Sequence, residues 1–463
     1  MAKRVIILGG GVSGLSAGWR LSENGVGVDI LEKSSSVGGL AASLREDNYC
    51  MDIGPHSFFS HDQEILNMVI GLFGDEMKPI LRKVKFYYRG KFVDYPLTVQ
   101  NVFFHIGLSF SVRAAGSFIK GKLMPRRRHA ANPEKETVED WAIESFGKHL
   151  YYNFFKPYTE QFWKVPCTEL SSTAIPTHTR MSFANTLRLI LRRKVSGKGV
   201  SLIEREMLPS FYPDKCFGEI AEKIAAKVRD NHGQIHLNSE AAGINILADG
   251  KVRVSYTQDG QRKELFADRL ISTIPLPALI KMIEPSAPAD VIASSDQLDY
   301  QSLIILGMVT RRQKILDSGY TYFLDRPYNR LFEMNEFSPR SSPDDENILG
   351  AEITCRQDDA IWGATKEDIF DMCIGSLSQD RYLGPGDVKR LFLIKAPNAY
   401  PIYRKDYAGH LIRLMDHVRR YDSITTLGRC GEFLYMDIDH CIKKAFDCAS
   451  NLIKPYRNGR NTA

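Results

Sequence analysis

The stretch Val5-Ile6-Ile7-Leu8-Gly9-Gly10-Gly11-Val12-Ser13-Gly14, close to the start of the sequence, decides the fold. Its aliphatic residues predict a buried strand over 3–8, and the residues behind the glycine run predict a helix over 15–22. A second strand is predicted over 26–31, directly before Glu32. A strand, a tight turn, a helix and a strand within about 30 residues make up a βαβ unit, which predicts a Rossmann-like α/β domain.

The glycine spacing of this turn, Gly9-x-Gly11-x-x-Gly14, is typical of a dinucleotide-binding site. The first glycine allows the tight turn, the second lets the backbone approach a pyrophosphate, and the third lets the helix pack on the strand. The helix start, with Val12 and Ser13, offers free N–H groups to that pyrophosphate. Glu32, 18 residues after Gly14, is predicted to accept hydrogen bonds from an adenosine ribose, and its charge disfavours a 2′-phosphate.

The composition is that of an ordinary globular protein and limits the range of partners. Of 463 residues, 43% are hydrophobic, 25% charged and 10% aromatic, which excludes disordered, collagen-like and coiled-coil chains. The formal net charge of +6 is too small to indicate a nucleic-acid partner, but it suits an anionic cofactor or substrate. The expected partner is therefore a small molecule.

The cysteines and the apolar stretches predict a cytoplasmic protein without a membrane span. Eight cysteines are scattered without a Cys-x-x-Cys pair, so we interpret them as reduced thiols rather than as a disulfide framework or a zinc site, and we expect no metal. The chain runs directly into the first predicted strand, without a signal-peptide pattern. The most apolar stretch, 102–119, is interrupted by His105, Gly107 and Arg113, which favours a buried or surface-lying helix.

A second glycine pair follows the predicted ribose acid. Lys33 leads to Gly38-Gly39-Leu40, which resembles the turn beside the pyrophosphate in FAD enzymes of the amine-oxidase type. The chain therefore resembles the flavoprotein superfamily that holds protoporphyrinogen oxidase, the amine oxidases and UDP-galactopyranose mutase. The resemblance implies FAD as the cofactor, with these four residues close to it, although the oxidases carry an arginine where this chain has Leu40.

Three further segments resemble the mutase branch of that superfamily. The segment 54–59 is similar to the mutase pattern Gly-Pro-His-x-Phe-His, whose first histidine faces the flavin ring; this implies the same place for His56, while Phe59 replaces the second histidine. The segment 157–163 resembles Tyr-Thr-Glu-Lys-Gln-Trp, which implies that Trp163 lies in the sugar pocket. In 298–303, Gln301 stands where the family has an arginine.

The resemblance extends to segments that bind the substrate phosphates. Arg330 and Tyr400 match family positions that contact the diphosphate of a nucleotide sugar. The segment 428–439 follows the pattern Gly-Arg-x-Gly-x-x-x-Tyr-x-Asp-Met-Asp except at Ile438, which adds Arg429 and Tyr435 to the implied substrate site. Further contacts to the cofactor are implied for Ala241, Gly428, Asp437, Ile438 and Asp439. The last three open a predicted helix over 438–452, whose free N–H groups suit the negative edge of a reduced flavin.

Two catalytic functions are open at this point, beside a non-catalytic FAD-bound scaffold for which no specific feature speaks. The first, implied by the mutases, is the isomerisation of a nucleotide-linked sugar, in which nitrogen N5 of the reduced flavin is the nucleophile and NAD(P)H is a candidate external reductant. His56, Arg330 and Arg429 are then the catalytic candidates, because the protein has mainly to clamp the phosphates. The alternative is an FAD-dependent oxidase or dehydrogenase acting on an amine, a porphyrinogen or a sugar carbon. Phe59, Gln301 and Lys164, which depart from the mutase pattern, keep that alternative open.

By the same resemblance the chain divides into three regions. A discontinuous FAD-binding domain takes 1–60, 205–285 and 408–463, a helical region with a hairpin takes 61–204, and a substrate domain takes 286–407. The expected fold class is α/β: a Rossmann-like FAD-binding domain of the amine-oxidase type, with a helical region and a mostly antiparallel sheet that covers the substrate cleft.

Overall fold

The computed structural model describes residues 4–88, 90–94, 108–123, 136–175 and 209–457. Within these residues the strands, in chain order, are β1 (Arg4–Leu8), β2 (Gly27–Leu31), β3 (Ser43–Glu46), β4 (Tyr49–Asp52), β5 (Met77–Ile80), β6 (Val84–Tyr88), β7 (Lys91–Asp94), β8 (Ser210–Pro213), β9 (Gln234–His236), β10 (Ser239–Ile246), β11 (Val252–Gln258), β12 (Gln261–Ala267), β13 (Arg269–Ser272), β14 (Ile283–Glu284), β15 (Tyr300–Thr310), β16 (Tyr320–Phe323), β17 (Arg330–Glu333), β18 (Asn347–Cys355), β19 (Val388–Pro401) and β20 (Ile424–Thr426).

The helices of the same residues are α1 (Val12–Ser22), α2 (Gln63–Gly71), α3 (Leu108–Leu123), α4 (Val138–Phe146), α5 (Lys148–Leu150), α6 (Lys156–Trp163), α7 (Glu219–Asp230), α8 (Leu276–Met282), α9 (Ala289–Ser295), α10 (Ala360–Gly363), α11 (Lys366–Gln379), α12 (Tyr407–Val418), α13 (Gly428–Gly431) and α14 (Ile438–Arg457). A π-helical turn over Tyr151–Phe155 joins α5 to α6.

The predicted βαβ unit forms the centre of a five-stranded parallel sheet, in the order β20-β13-β1-β2-β9. β1 pairs in parallel with β2 on one side and with β13 on the other. A Cβ at Gly14 would lie 2.0 Å from the carbonyl oxygen of Gly9 in the turn and 3.2 Å from Cγ2 of Ile7 in β1. Helix α1 therefore packs closely on the turn and on β1. The third glycine of the motif therefore has the packing role that the sequence predicts for it.

A seven-stranded sheet, in the order β19-β15-β18-β17-β16-β6-β7, forms the second layer. Its pairs are antiparallel except for β16 with β6. Leu303 and Ile305 on one face of β15 share a buried cluster with the parallel sheet, whereas Ile304 and Leu306 pack on the other side with α11. The predicted hairpin is present as β6 and β7 and joins the edge of this sheet. The division into three regions stays a prediction.

One cysteine pair shows that the interpretation of all eight cysteines as reduced thiols is wrong. Cys50 in β4 and Cys216 before α7 form a disulfide, with their Cα atoms 6.1 Å apart. The two residues are separated by 166 positions in the sequence. No local spacing could reveal a pair that only the fold brings together. The disulfide also removes the reduced thiols as a reason to expect a cytoplasmic location.

Helix α3 covers 108–119 of the predicted apolar helix over 102–119 and continues to Leu123, and residues 102–107 lie outside the described residues. It lies at the surface, with Val112 and Ile119 exposed. In the part of the chain that the structure describes, no helix combines the length and the apolar character that crossing a bilayer requires.

Candidate active site

The two glycine-rich turns lie against each other at the carboxyl end of the parallel sheet. Gly9 has a φ of +98°, which favours glycine, and its N–H donates to the carbonyl of the last residue of β2 at 2.9 Å. Gly38 has a φ of +113°, and its N–H donates to the carbonyl of Gly10 at 2.8 Å. A Cβ at Gly11 would meet only the backbone of Gly38 and Gly39, at 3.9 Å. The two turns therefore form one glycine cradle at the start of α1.

Glu32 closes the glycine cradle at the end of β2. Its carboxylate accepts the N–H groups of Gly10 at 2.7 Å and Ser34 at 2.8 Å, and the residue is 8% exposed. Its backbone carbonyl accepts the N–H of Ser239 at 2.8 Å. This bond brings the start of β10, and with it the half-buried Ala241, next to the same turn.

The other residues predicted around the pyrophosphate differ in their exposure. Val12 and Ser13 are the first residues of α1, and both are 7% exposed. Lys33 is exposed, whereas the half-buried Leu40 packs on the buried cluster that includes α1. The cradle therefore offers mainly backbone groups and one carboxylate.

The C-terminal segment returns to the glycine cradle. A Cβ at Gly428 would lie 2.5 Å from Oγ of Ser13, so α13 lies directly on the start of α1. Helix α14 begins at Ile438, where the sequence predicts a helix start. The carboxylate of Asp439 accepts the hydroxyl of Ser60 at 2.8 Å and thereby ties this helix start to the segment after His56.

His56 is half-buried and lies near two arginines, Arg330 and Arg429, whose charges act on its ring; these three side chains define the cleft. Its ring stacks on Phe217, with the ring centroids 4.9 Å apart, and its buried Nδ1 has no hydrogen-bond partner among the described residues. Burial, followed by the positive charges of Arg330 and Arg429, lowers the pKa of His56 to about 3. The imidazole is therefore neutral at physiological pH.

Arg330 belongs to a row of three polar side chains that crosses the large sheet. Tyr322, Arg330 and Glu352 are direct register partners on β16, β17 and β18. The guanidinium makes a two-point ion pair with the carboxylate of Glu352; Nε lies 3.0 Å from Oε1, and the second bond joins Nη2 to Oε2. The side chains of Arg330 and Glu352 are 13% and 0% exposed. Burial opposes the charge of the arginine, but the carboxylate raises the pKa of Arg330 well above its ordinary value.

The remaining surroundings of this ion pair are aromatic rings and backbone. Nη1 of Arg330 lies 3.5 Å from the hydroxyl of Tyr322, and the guanidinium carbon lies 5.7 and 5.5 Å from the ring centres of Tyr320 and Tyr322. A Cβ at Gly54 would lie 2.9 Å from Oε2 of Glu352. The segment that carries His56 therefore passes directly over the pair.

Arg429 has different surroundings in the same cleft. Its Nε donates to the carbonyl of Met436 at 3.0 Å, and its Nη1 donates to that of Ala399 at 3.3 Å. Tyr400 and Tyr435 stack on each other with centroids 5.8 Å apart, and the guanidinium carbon lies 5.4 and 4.9 Å from their centres. No carboxylate oxygen of the described residues lies within 4.0 Å of the guanidinium. Carbonyl groups and aromatic rings therefore make the direct contacts to this charge, and the carboxylate of Asp437 acts on it from a greater distance.

Trp163 lies at the edge of the stacked tyrosine pair. It ends α6, is 7% exposed, and has its ring centre 6.4 Å from that of Tyr400. The ring of Phe162 lies closer, 5.4 Å from Tyr400. The fold thus brings Trp163, Tyr400, Arg429 and Tyr435 together. Arg330 lies in the same sheet as Tyr400, on β17, with β15 and β18 between the two strands.

The three departures from the mutase pattern lie in different surroundings. Phe59 carries the guanidinium of Arg82 over its ring at 4.5 Å. Gln301 is fully buried and donates from its amide to the carbonyl of Cys355 at 2.9 Å, and its Oε1 has no partner among the described residues. Lys164 is an exposed residue with a φ of +52° directly after α6.

Glu352, Tyr320 and Tyr322 belong to the cleft, although the sequence analysis does not predict them. Glu352 carries a signal, since a single acid within the apolar run 347–355 is expected to be buried only with a partner. Tyr320 and Tyr322 carry none, because their place next to Arg330 depends on the pairing of β16 with β17.

The residues present fit a flavin adenine dinucleotide. The glycine cradle presents backbone N–H groups to a pyrophosphate, and Glu32 lies at the end where a ribose would be held. At the other end, the buried Nδ1 of His56 lacks a partner among the described residues, as expected of a group that completes its bonding with a ligand.

Comparison with known proteins agrees with this arrangement. Residues 12–390 match the model of the family described as flavin containing amine oxidoreductase. The chain is 27% identical over 176 residues to a Klebsiella pneumoniae protein named "Probable UDP-galactopyranose mutase", and the match covers 37% of this chain and 44% of that protein. The matched part thus spans less than half the length of this curated relative.

Two solved structures share the fold over nearly the whole chain. One is a reduced UDP-galactopyranose mutase, with a TM-score of 0.80, 20% identity, and coverage of 100% of this chain and 97% of the other. The other is named "Putative protoporphyrinogen oxidase" and comes from Exiguobacterium sp. 255-15, with a TM-score of 0.72, 17% identity, and coverage of 98% and 99%. At these identities the likeness shows the fold alone, and it confirms the predicted fold class.

Proposed function

The chain belongs to the family of flavin containing amine oxidoreductases, and we propose that it binds FAD and, with the flavin reduced, isomerises a nucleotide-linked sugar. The glycine cradle and Glu32 bind the adenosine diphosphate half of the cofactor. The flavin ring lies near His56 and the start of α14, and the cleft between Arg330 and Arg429 takes the substrate.

One observation carries the choice of substrate: Arg429 keeps a positive charge without a carboxylate partner among the described residues. Such a charge is costly to bury unless a ligand or a polar group balances it. A diphosphate would do so through charge-assisted bonds, for which the flat guanidinium is well suited. The stacked rings of Tyr400 and Tyr435 lie directly next to it and can add two hydroxyl groups.

The protein residues bind and orient the substrate in this proposal. When bound, reduced FAD supplies a nucleophilic ring nitrogen for the anomeric carbon of the sugar. Arg429, Tyr400 and Tyr435 hold the diphosphate, and Trp163 packs against the sugar or the base. Arg330, held in place by Glu352, offers Nη1 and the neighbouring Tyr322 hydroxyl as hydrogen-bonding groups. His56 stays neutral and so adds no further positive charge next to the two arginines.

The test is to incubate the purified protein with UDP-sugars, both oxidised and reduced by dithionite or NAD(P)H, and to separate the products by mass-resolved chromatography. We expect isomerisation by the reduced protein, with many turnovers for each flavin and no stoichiometric peroxide. A Glu32→Ala variant is expected to purify largely without flavin, which tests the cofactor site independently. Absence of UDP binding at millimolar concentration would remove the main support for the nucleotide sugar.

The second candidate function is an FAD-dependent oxidase or dehydrogenase. Gln301 favours it. The mutase pattern has a positively charged arginine at this buried position, whereas this chain has a neutral side chain there. Oxygen consumption in proportion to product, starting from the oxidised protein, would favour this candidate over the isomerase.

A further inference from the structure

The side of the surface helix α3 that packs on the protein includes Phe110 and Ser117. Phe110 is 8% exposed, and its ring lies 4.8 Å from that of His149. The hydroxyl of Ser117 accepts the N–H of His149 at 3.0 Å. A Cβ at Gly147 would lie 2.8 Å from the backbone N of Phe118, so α3 lies very close to the start of α5. These contacts identify the side of α3 that faces the protein.

The opposite side of α3 is apolar and faces solvent. Val112 and Ile119 are 61% and 57% exposed, and Gly116 between them is exposed as well. Spacings of four and three residues place these positions on one stripe of the helix. A surface helix of a globular protein normally turns its large aliphatic residues inward. In α3 the valine and the isoleucine point outward instead.

Two basic residues flank this stripe. Arg113 and Lys120, each one position after an apolar stripe residue, are exposed, and neither forms a salt bridge with a described residue. The helix contains no acidic residue, and the sequence has none between Asp94 and Glu134. The outer face of α3 is therefore apolar along its middle and positively charged along one side.

We propose that this outer face, defined by Val112, Gly116, Ile119, Arg113 and Lys120, docks the protein on the surface of an anionic lipid bilayer. The aliphatic side chains would enter the boundary between headgroups and acyl chains, and the basic side chains would contact the lipid phosphates. The charge complementarity selects an anionic surface over a neutral one. A helix of 16 residues with two charged side chains on its outer face lies in the interface and does not cross it.

The experiment is sedimentation of the flavin-loaded protein with vesicles of phosphatidylcholine alone and of phosphatidylcholine mixed with phosphatidylglycerol. We expect binding to the anionic vesicles that weakens as salt is raised, and at least tenfold less binding to the neutral ones. Val112→Ser with Ile119→Ser is expected to reduce binding at least tenfold. The matched control is Phe266→Ser with Ile412→Ser, since these residues are 50% and 55% exposed on β12 and α12.

The charge is tested separately. Arg113→Gln with Lys120→Gln is expected to reduce binding to anionic vesicles, while Arg262→Gln with Lys263→Gln, an exposed basic pair on β12, is expected to leave it unchanged. Failure of the wild-type protein to bind anionic vesicles at low salt would overturn the proposal. Equal losses of vesicle binding in the α3 variants and in their controls would overturn it as well. A change in the oligomeric state of the α3 variants, without any vesicle binding by the wild type, would overturn it too and would indicate a contact between proteins.

Discussion

Arg330 and Arg429 lie in the same cleft, but their charges are balanced in opposite ways. Arg330 is matched across the sheet by Glu352, whose side chain is fully buried. Arg429 donates to the backbone carbonyls of Met436 and Ala399 and lies against two tyrosine rings. The first arginine belongs to a pair with no net charge, and the second keeps a whole positive charge.

The difference separates two roles that the family resemblance treats alike. An anion that enters the cleft gains from the full charge of Arg429, whereas the charge it meets at Arg330 is already paired. Arg330 then acts mainly through the geometry of Nη1 and the Tyr322 hydroxyl, 3.5 Å apart. The two arginines should therefore respond differently to the same substitution.

The largest expected effect is on stability, in Arg330→Ala. This change leaves the carboxylate of Glu352 buried without its partner, which typically costs about 3–5 kcal/mol of unfolding free energy. Urea unfolding measures the loss. Arg429→Ala, which strands no charged partner, should lose much less. Replacement of both members of the pair, Arg330→Met with Glu352→Leu, should restore most of the stability.

A second ion pair outside the cleft provides the control for Arg330. Arg326 makes two bonds of 2.8 Å to Asp380, and the two side chains are 15% and 8% exposed. Arg326→Ala should also destabilise the protein but should leave nucleotide binding unchanged. If Arg330→Ala were as stable as the wild type, the buried carboxylate of Glu352 would not need Arg330 as its partner.

The next effect is on ligand affinity, in Arg429→Ala. Loss of a charged hydrogen-bond donor to a diphosphate is expected to weaken UDP binding by about 1.5–3 kcal/mol. Calorimetric titration of UDP into the flavin-loaded protein measures this, and the flavin absorption should stay the same. Arg429→Lys should fall between, because it keeps the charge and loses the flat donor geometry. The double replacement Arg330→Met with Glu352→Leu removes the pair without leaving a charge. A larger loss of affinity in that variant than in Arg429→Ala would contradict the assigned roles.

A smaller effect of opposite sign is expected for Glu352→Gln. Removal of this negative charge leaves Arg330 unbalanced, so the cleft gains one positive charge. UDP should then bind more tightly, by on the order of 1 kcal/mol for one charge acting across a cleft at an effective dielectric constant of about 20. The same variant should be less stable, since a charge-matched pair has been broken. Weaker binding of UDP would show that Arg330 does not add to the field of the cleft.

The sequence could predict the cofactor end of the molecule better than this cleft. The βαβ unit is encoded by neighbouring residues, namely the glycine spacing, the aliphatic runs and the acid directly after β2, and the helix start at Ile438 lies within the segment 428–439 that the family pattern covers. Short-range patterns of this kind fix local backbone geometry, and for that reason they could be read without knowing the fold.

The pairing of Arg330 with Glu352 could not be predicted in the same way. It depends on the register of β17 with β18, which places Arg330 opposite Glu352, and on β16, which adds Tyr322 to the same row. The disulfide between Cys50 and Cys216 joins residues that are 166 positions apart in the sequence, so only the complete fold brings them together. Family resemblance located Arg330 and Arg429 on the cleft, but the charges around them come from strands that are distant in the sequence.

The smallest expected effect is the change in the pKa of His56 when one arginine is replaced, because each arginine causes only part of the shift. Burial, Arg330 and Arg429 together lower its pKa from 6.5 to about 3 in the folded protein. Between these two values the unfolded chain binds a proton that the folded protein does not, so His56 reduces stability as the pH falls through this window and has no such effect above it. His56→Gln should therefore lose less stability than the wild type when the pH is lowered from neutral to about 4, as measured by unfolding at each pH.

Arg330→Ala and Arg429→Ala should each raise the pKa of His56, which NMR of the imidazole measures. The rise should recover only part of the shift, because burial is its largest cause. An unchanged pKa of His56 in both arginine variants would mean that neither arginine acts on the ring, and a wild-type pKa near the ordinary value would contradict the burial of the ring as well.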